Sequence, residues 1–233
     1  MLKNQILILC LFLPMLLFSQ RAEFGIFIGG TNYFGDLADA IYVTKETNLS
    51  VGGEFRYNFT PKHTLKFNAY SGKITAKDSN SKDPYLAPRG FTFESPITEV
   101  GAHYEYNFLG KKLYNNIGEF KPFITPFLSI GVGYALVPGT PVAPEDRIPD
   151  PFPEEGDVHT FLIFPFGGGA KYYPTPNLVV GLEIGFRPTL NDYLDGVSET
   201  GNPKANDWYI KGGFTIAYLF NKGPDFMNND KDF

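Results

Sequence analysis

Asn48-Leu49-Ser50-Val51-Gly52-Gly53-Glu54-Phe55-Arg56-Tyr57-Asn58-Phe59 is the stretch on which the fold turns. Leu49, Val51, Gly53, Phe55, Tyr57 and Phe59 fall on one face, and Ser50, Gly52, Glu54, Arg56 and Asn58 on the other. That is the period of two of a β-strand, with an uncharged face opposite a polar one. Working outward, Thr98 to Phe108 sets Val100, Ala102, Tyr104, Tyr106 and Phe108 against Glu99, Gly101, His103, Glu105 and Asn107. Leu178 to Phe186 sets Leu182, Ile184 and Phe186 against Gly181, Glu183 and Gly185, with Arg187 continuing the polar side. Trp208 to Phe220 sets Trp208, Ile210, Phe214, Ile216, Tyr218 and Phe220 against Lys211, Gly213 and Thr215. Fainter alternation marks Glu23 to Ile28, Thr64 to Ser71, Pro122 to Val137 and Thr160 to Tyr173, where FLIFPF is apolar on both faces. Eight strands are predicted.

Their connections alternate in length. Thr60-Pro61-Lys62 and Pro174-Thr175-Pro176-Asn177 are tight turns, whereas strands 1–2, 3–4, 5–6 and 7–8 are separated by loops of roughly 17–22 residues, the layout of an outer-membrane barrel. Leu109 to Lys121 is a medium-length connection on the short-turn side. A soluble up-and-down barrel alternates too, but points its apolar face inward. Here the polar face carries Gly52, Gly101, Gly131, Gly133, Gly181, Gly185 and Gly213, small residues that suit a crowded eight-stranded interior. Aromatic residues gather at the ends of the uncharged face (Tyr57, Phe59, Tyr106, Phe108, Trp208, Tyr218, Phe220), as in interfacial girdles. The fold class is therefore all-β: an eight-stranded antiparallel transmembrane barrel. Phe214 and Ile216 are expected in lipid and Thr215 inside.

Composition agrees. The 233 residues are 43% hydrophobic and 16% aromatic but only 19% charged, too apolar for wholesale disorder. Twenty Lys+Arg against 25 Asp+Glu leave a net charge of −5, which argues against nucleic-acid binding. One cysteine makes neither an internal disulfide nor a zinc cluster. Met1 to Gln20 has Lys3, an apolar run from Ile6 to Phe18 and the small Ser19, the form of a cleavable signal peptide. The expected organisation is a signal peptide over 1–19, a barrel over 20–220 and a tail over 221–233. After export both termini and the short turns face the periplasm, and the long loops face outside.

Glu23, Glu54, Arg56, Lys66, Glu99, His103, Glu105, Lys171, Glu183, Arg187 and Lys211 map to the inward face. His103 with Glu99 or Glu105 has the spacing of an acid–base set on one strand face. No nucleophile pattern accompanies it. Mixed charges pairing within a filled interior are the favoured reading, with Arg56 and Arg187 each beside a carboxylate among Glu54, Glu99, Glu105 and Glu183. No pore, cofactor, metal or small-molecule substrate is expected. The loop Pro138 to His159 is acidic and proline-rich without calcium-loop spacing. Gly167-Gly168-Gly169 lacks the Lys-Ser/Thr of a phosphate loop and is expected to let its strand bend. Leu109 to Lys121, LGKKLYNNIGEFK, carries Lys111, Lys112 and Lys121 with Tyr114, a candidate docking patch for an acidic partner.

Glu23-Phe24-Gly25-Ile26-Phe27-Ile28-Gly29-Gly30, followed by Asn32-Tyr33-Phe34-Gly35-Asp36-Leu37, resembles the opening of a Bacteroidetes outer-membrane barrel family, the PorG-like barrels of the type IX secretion and gliding system. Glu23, Tyr33, Gly35, Asp36 and Leu37 carry the most distinctive part. The resemblance implies a non-catalytic secretion subunit linked to periplasmic ring proteins. Paralogues of unassigned role share the motif, and a surface-binding barrel acting through its outer loops is the alternative.

Overall fold

The computed structural model describes residues 21–34, 46–77, 90, 92–115, 117–138, 159–189 and 207–220. The expected signal peptide over 1–19, Gly35, Asp36, Leu37, nearly all of the acidic loop and the expected tail over 221–233 lie outside them. The strands are β1 (Ala22–Phe34), β2 (Asn48–Asn58), β3 (His63–Lys77), β4 (Thr92–Asn107), β5 (Phe123–Val137), β6 (His159–Ile163), β7 (Phe166–Thr175), β8 (Leu178–Pro188) and β9 (Trp208–Leu219). Every pairing is antiparallel, in the order β4-β3-β2-β1-β9-β8-β7-β5-β6, and β4–β5 pairing closes the sheet into a barrel. β6 and β7 are one stave. His159–Ile163 pair with Val137–Gly133, and Phe166–Tyr173 with Ile130–Phe123, in one unbroken register. Pro165, which has no N–H, interrupts the ladder. Its carbonyl still accepts from Gly131 N–H (2.7 Å), and Phe164 N–H donates to the Pro188 carbonyl (3.2 Å). The barrel thus has the eight strands read from the sequence. The irregularities of this stave fall at Phe164-Pro165 and at a register shift between Tyr172 and Thr175, not at Gly167–Gly169.

Three strands outrun their sequence reading. β1 continues past Ile28 to Phe34, β3 past Ser71 to Lys77, and β4 begins at Thr92 rather than Thr98. The reason is a reversal of facing. Through most of the barrel the outward residues are apolar and exposed: Ile26 is 73% exposed and Ile216 62%. Aromatic pairs ring the short-turn end, among them Tyr57–Phe59, Tyr106–Phe108 and Tyr218–Phe220. Such a belt is stable only against hydrocarbon. Toward the long loops, however, Ile74, Ala76, Phe93 and Ile97 turn inward and are buried, while Lys77, Glu94 and Pro96 point out. Lys73 and Glu94 pair across the outer face there. The same strands carry a lipid-facing wall at one level and a water-facing wall at the next, without any slip in register.

The interior is layered accordingly. At the long-loop end Tyr33, Ile74, Phe93, Phe161, Ile163 and Tyr209 belong to one apolar core. At the short-turn end Leu113, Tyr173, Val179, Ala217 and Leu219 form another. Between them lies the charged lumen.

Candidate functional site

Five carboxylates (Glu23, Glu54, Glu99, Glu105, Glu183) and five cations (Arg56, Lys66, Lys171, Arg187, Lys211) are buried in the lumen. The strand period delivers them there: each is an inward position of an alternating stave. Arg56 contacts Glu54 and lies 3.5 Å from Glu105 and 3.6 Å from Glu183. Lys66 lies 2.9 Å from Glu183 and 3.3 Å from Glu105, and Lys171 2.5 Å from Glu105. Nearer the long loops Glu99 collects Arg187 (3.2 Å), Lys211 (3.3 Å), the Tyr209 hydroxyl (2.8 Å) and the Asn68 amide (3.0 Å). Tyr70 bridges two of the carboxylates, donating to Glu54 and lying 3.3 Å from Glu183. Its ring lies over Gly52, where a Cβ would sit 2.2 Å from it. Glycine at that position is what admits the tyrosine. Most of these charges are paired with one another, and loss of a paired member strands its partner.

His103 is buried beside these groups, and neither ring nitrogen makes a hydrogen bond. The His103–Glu99 and His103–Glu105 acid–base pairs are not assembled, because both carboxylates are engaged by cations. Among the described residues no cluster of His, Cys, Asp or Glu is arranged to hold a metal ion. The charged layer has an apolar core on each side.

At the short-turn end the connection between β4 and β5 folds back over the barrel mouth. Leu113 inserts into the apolar core, and Tyr114 forms an antiparallel bridge with Phe120. Asn115 fixes the tip: its side-chain oxygen accepts from Ile117 N–H (3.1 Å) and Glu119 N–H (2.8 Å), and its carbonyl accepts from Gly118 N–H (3.0 Å). Gly118, with φ of 77°, supplies the left-handed turn residue. Lys111, Lys112 and Lys121 are exposed, and Lys121 lies 3.7 Å from Glu119. Lys111, Lys112, Tyr114 and Lys121 all border one open cleft of about 330 Å³. Tyr114 is half-buried and spends part of its ring on Phe120. The side chain presented at the tip is Ile117, 83% exposed. Sequence reasoning passed over Leu113 and Ile117 because this segment has no period to show which residue faces the barrel.

Of the motif residues, Glu23 faces the lumen and accepts from the Asn58 amide (2.7 Å). Tyr33 is buried, and its hydroxyl donates to Asp207 (2.6 Å), tying the end of β1 to the residue before β9.

Among solved structures the chain is similar to Neisserial surface protein A, at 12% identity over 86% of this chain and 98% of that one, with a TM-score of 0.48. It is similar to the N-terminal β-barrel domain of Pseudomonas aeruginosa OprF, at 14% identity over 85% and 98%, with a TM-score of 0.42. OprG from the same organism matches at 11% identity over 87% and 98%, with a TM-score of 0.41. No curated protein matches the sequence. Residues 2–229, nearly the whole chain, match the family described as domain of unknown function DUF6089, and the protein belongs to that family.

Proposed function

We propose that the protein is a non-catalytic outer-membrane barrel subunit of the type IX protein secretion and gliding machinery, exported by its residue 1–19 signal and docking periplasmic ring components at its short-turn end. The observation that carries this reading is the connection between β4 and β5, seated over the barrel mouth by Leu113 and leaving Lys111, Lys112 and Lys121 exposed. With apolar cores at both ends of the lumen, the working surfaces are the ends of the barrel. The opening motif from Glu23 to Leu37 supplies the link to secretion by its resemblance to PorG-like barrels. Export places the short-turn end in the periplasm, where positive charge steers an acidic partner.

Replacing Lys111, Lys112 and Lys121 by glutamate tests this. None lies in a strand, so the barrel folds and inserts. Recovery of ring proteins from mild-detergent extracts and secretion should both fall, and the gap between the variant and the unaltered protein should narrow as salt screens the charges of both. Normal ring recovery and secretion in the triple variant would eliminate the patch. A second reading, a surface-binding barrel acting through its long loops, is favoured by the apolar-cored extension at that end, which makes a rigid pedestal beyond the lipid-facing belt. Loss of surface attachment alone on deletion, with secretion intact, would select it.

A further inference from the structure

The two arms of the connection between β4 and β5 meet at the Tyr114–Phe120 bridge. Continued in register, that bridge would set Lys112 opposite Pro122, which has no N–H to offer. The arms part there. Among the described residues, neither Lys111 nor Lys112 has its backbone N–H or C=O in a hydrogen bond, and neither ammonium has a carboxylate partner. The arm is nevertheless held at both ends. Leu113 is buried in the apolar core. Gly110 turns in the left-handed region, with φ of 51°, and the Lys62 side chain packs where its Cβ would stand. A fixed pair of residues thus presents adjacent main-chain and side-chain donors to solvent.

The open cleft of about 330 Å³ beside them has two kinds of wall. Its charged wall carries Lys111, Lys112 and Lys121 against one described carboxylate, Glu119, which lies 3.7 Å from Lys121. Its apolar wall is Leu113, Pro122 and Phe123, and the Lys111 ammonium stands 5.9 Å from the centre of the Phe123 ring. Donors without acceptors call for oxygens, and the bonds are strongest when the oxygens are charged. A free phosphate would use the lysines and leave the apolar wall bare. An extended peptide rich in Asp or Glu supplies carboxylates, main-chain carbonyls and apolar side chains at once. We propose that the cleft takes a short, extended, acidic segment of a periplasmic partner. Its oxygens meet the N–H and ammonium groups of Lys111 and Lys112, and an apolar side chain packs against Phe123. This rests on reading the short-turn end as a docking face and names what docks there.

Three end-capped, dye-labelled peptides test this on the full chain in phosphatidylcholine nanodiscs: Glu-Val-Glu-Val-Glu-Val, its Gln-Val counterpart without charge, and its Glu-Gly counterpart without apolar side chains. Fluorescence anisotropy should show the Glu-Val peptide binding at least tenfold tighter than either of the others. Amide hydrogen exchange at Lys111 or Lys112 should slow in that complex, and Lys121→Gln should weaken binding at least threefold. Equal affinity for the Glu-Val and Glu-Gly peptides would reduce the cleft to a charged patch and overturn the proposal, as would unchanged exchange at both lysines. Slow exchange there before any peptide is added would show the arm already covered, by lipid or by residues 221–233, and overturns it too. Lost ring recovery in the triple glutamate variant, with no peptide bound by the unaltered chain, sinks this inference alone. Normal ring recovery in that variant, with tight peptide binding by the unaltered chain, sinks the docking of ring proteins and leaves the acidic-segment site standing.

Discussion

Glu99 shows best how single residues hold this barrel. Its two oxygens face Arg187, Lys211, Tyr209 and Asn68, drawn from β8, β9 and β3, so one carboxylate on β4 fastens staves across the lumen. Burying these charges has a desolvation cost that their pairing offsets, so the cluster specifies the arrangement more than it adds net stability. Breaking it is another matter. Glu99→Gln leaves Arg187 and Lys211 without their shared anion, at a cost of about 3–5 kcal/mol. A urea titration of vesicle-inserted protein should register that loss; a variant as stable as the original would show that water reaches the lumen. The exposed Lys121–Glu119 pair, by contrast, should be worth less than about 1 kcal/mol.

At the scale of elements, the informative feature is that facing polarity reverses along β3 and β4 while the register does not. A cation should therefore be tolerated or rejected according to level and parity. Phe214→Arg, in the lipid-facing part of β9, should cost about 2–4 kcal/mol near the bilayer midplane. Thr215→Ser, one residue on and pointing inward at Glu54, should stay within about 0.5 kcal/mol. Ile74→Lys, in the apolar core of the long-loop end, should cost about 3 kcal/mol or more, although it lies beyond the lipid-facing belt. Folding titrations of the three variants check the assignment, and a neutral Ile74→Lys would move the water level inward. This reversal also sets what was legible in the sequence. Asn48 to Phe59 sits wholly within one regime and could be read outright. Thr92 to Ile97 could not, because there Phe93, Ser95 and Ile97 face in while Glu94 and Pro96 face out, the opposite polarity to Val100 and Glu99 a few residues later. The inward charges were legible from parity alone; which carboxylate meets which cation was not, because that depends on the stagger between strands distant in sequence. Leu113 and the cleft beside it depend on a segment without period and were invisible for the same reason.

Seen as a whole molecule, the barrel is a wall around a solid interior: an apolar core, a layer of paired charges and a second apolar core, in sequence along the axis. Such a body has its outer belt committed to lipid and its interior committed to itself. What is left for recognition is its two ends, and among the described residues the short-turn end exposes Lys111, Lys112 and Lys121 beside Ile117. The most direct test is photocrosslinking in cells, with a photoreactive residue placed at Lys112 of the full chain and, for comparison, at Arg147 in the long acidic loop. Docking at the short-turn end predicts a discrete protein adduct from position 112, one that disappears when Lys111 and Lys121 are changed to glutamate, and none of the same mass from position 147. An adduct from position 147 alone, with position 112 yielding only lipid, would contradict it.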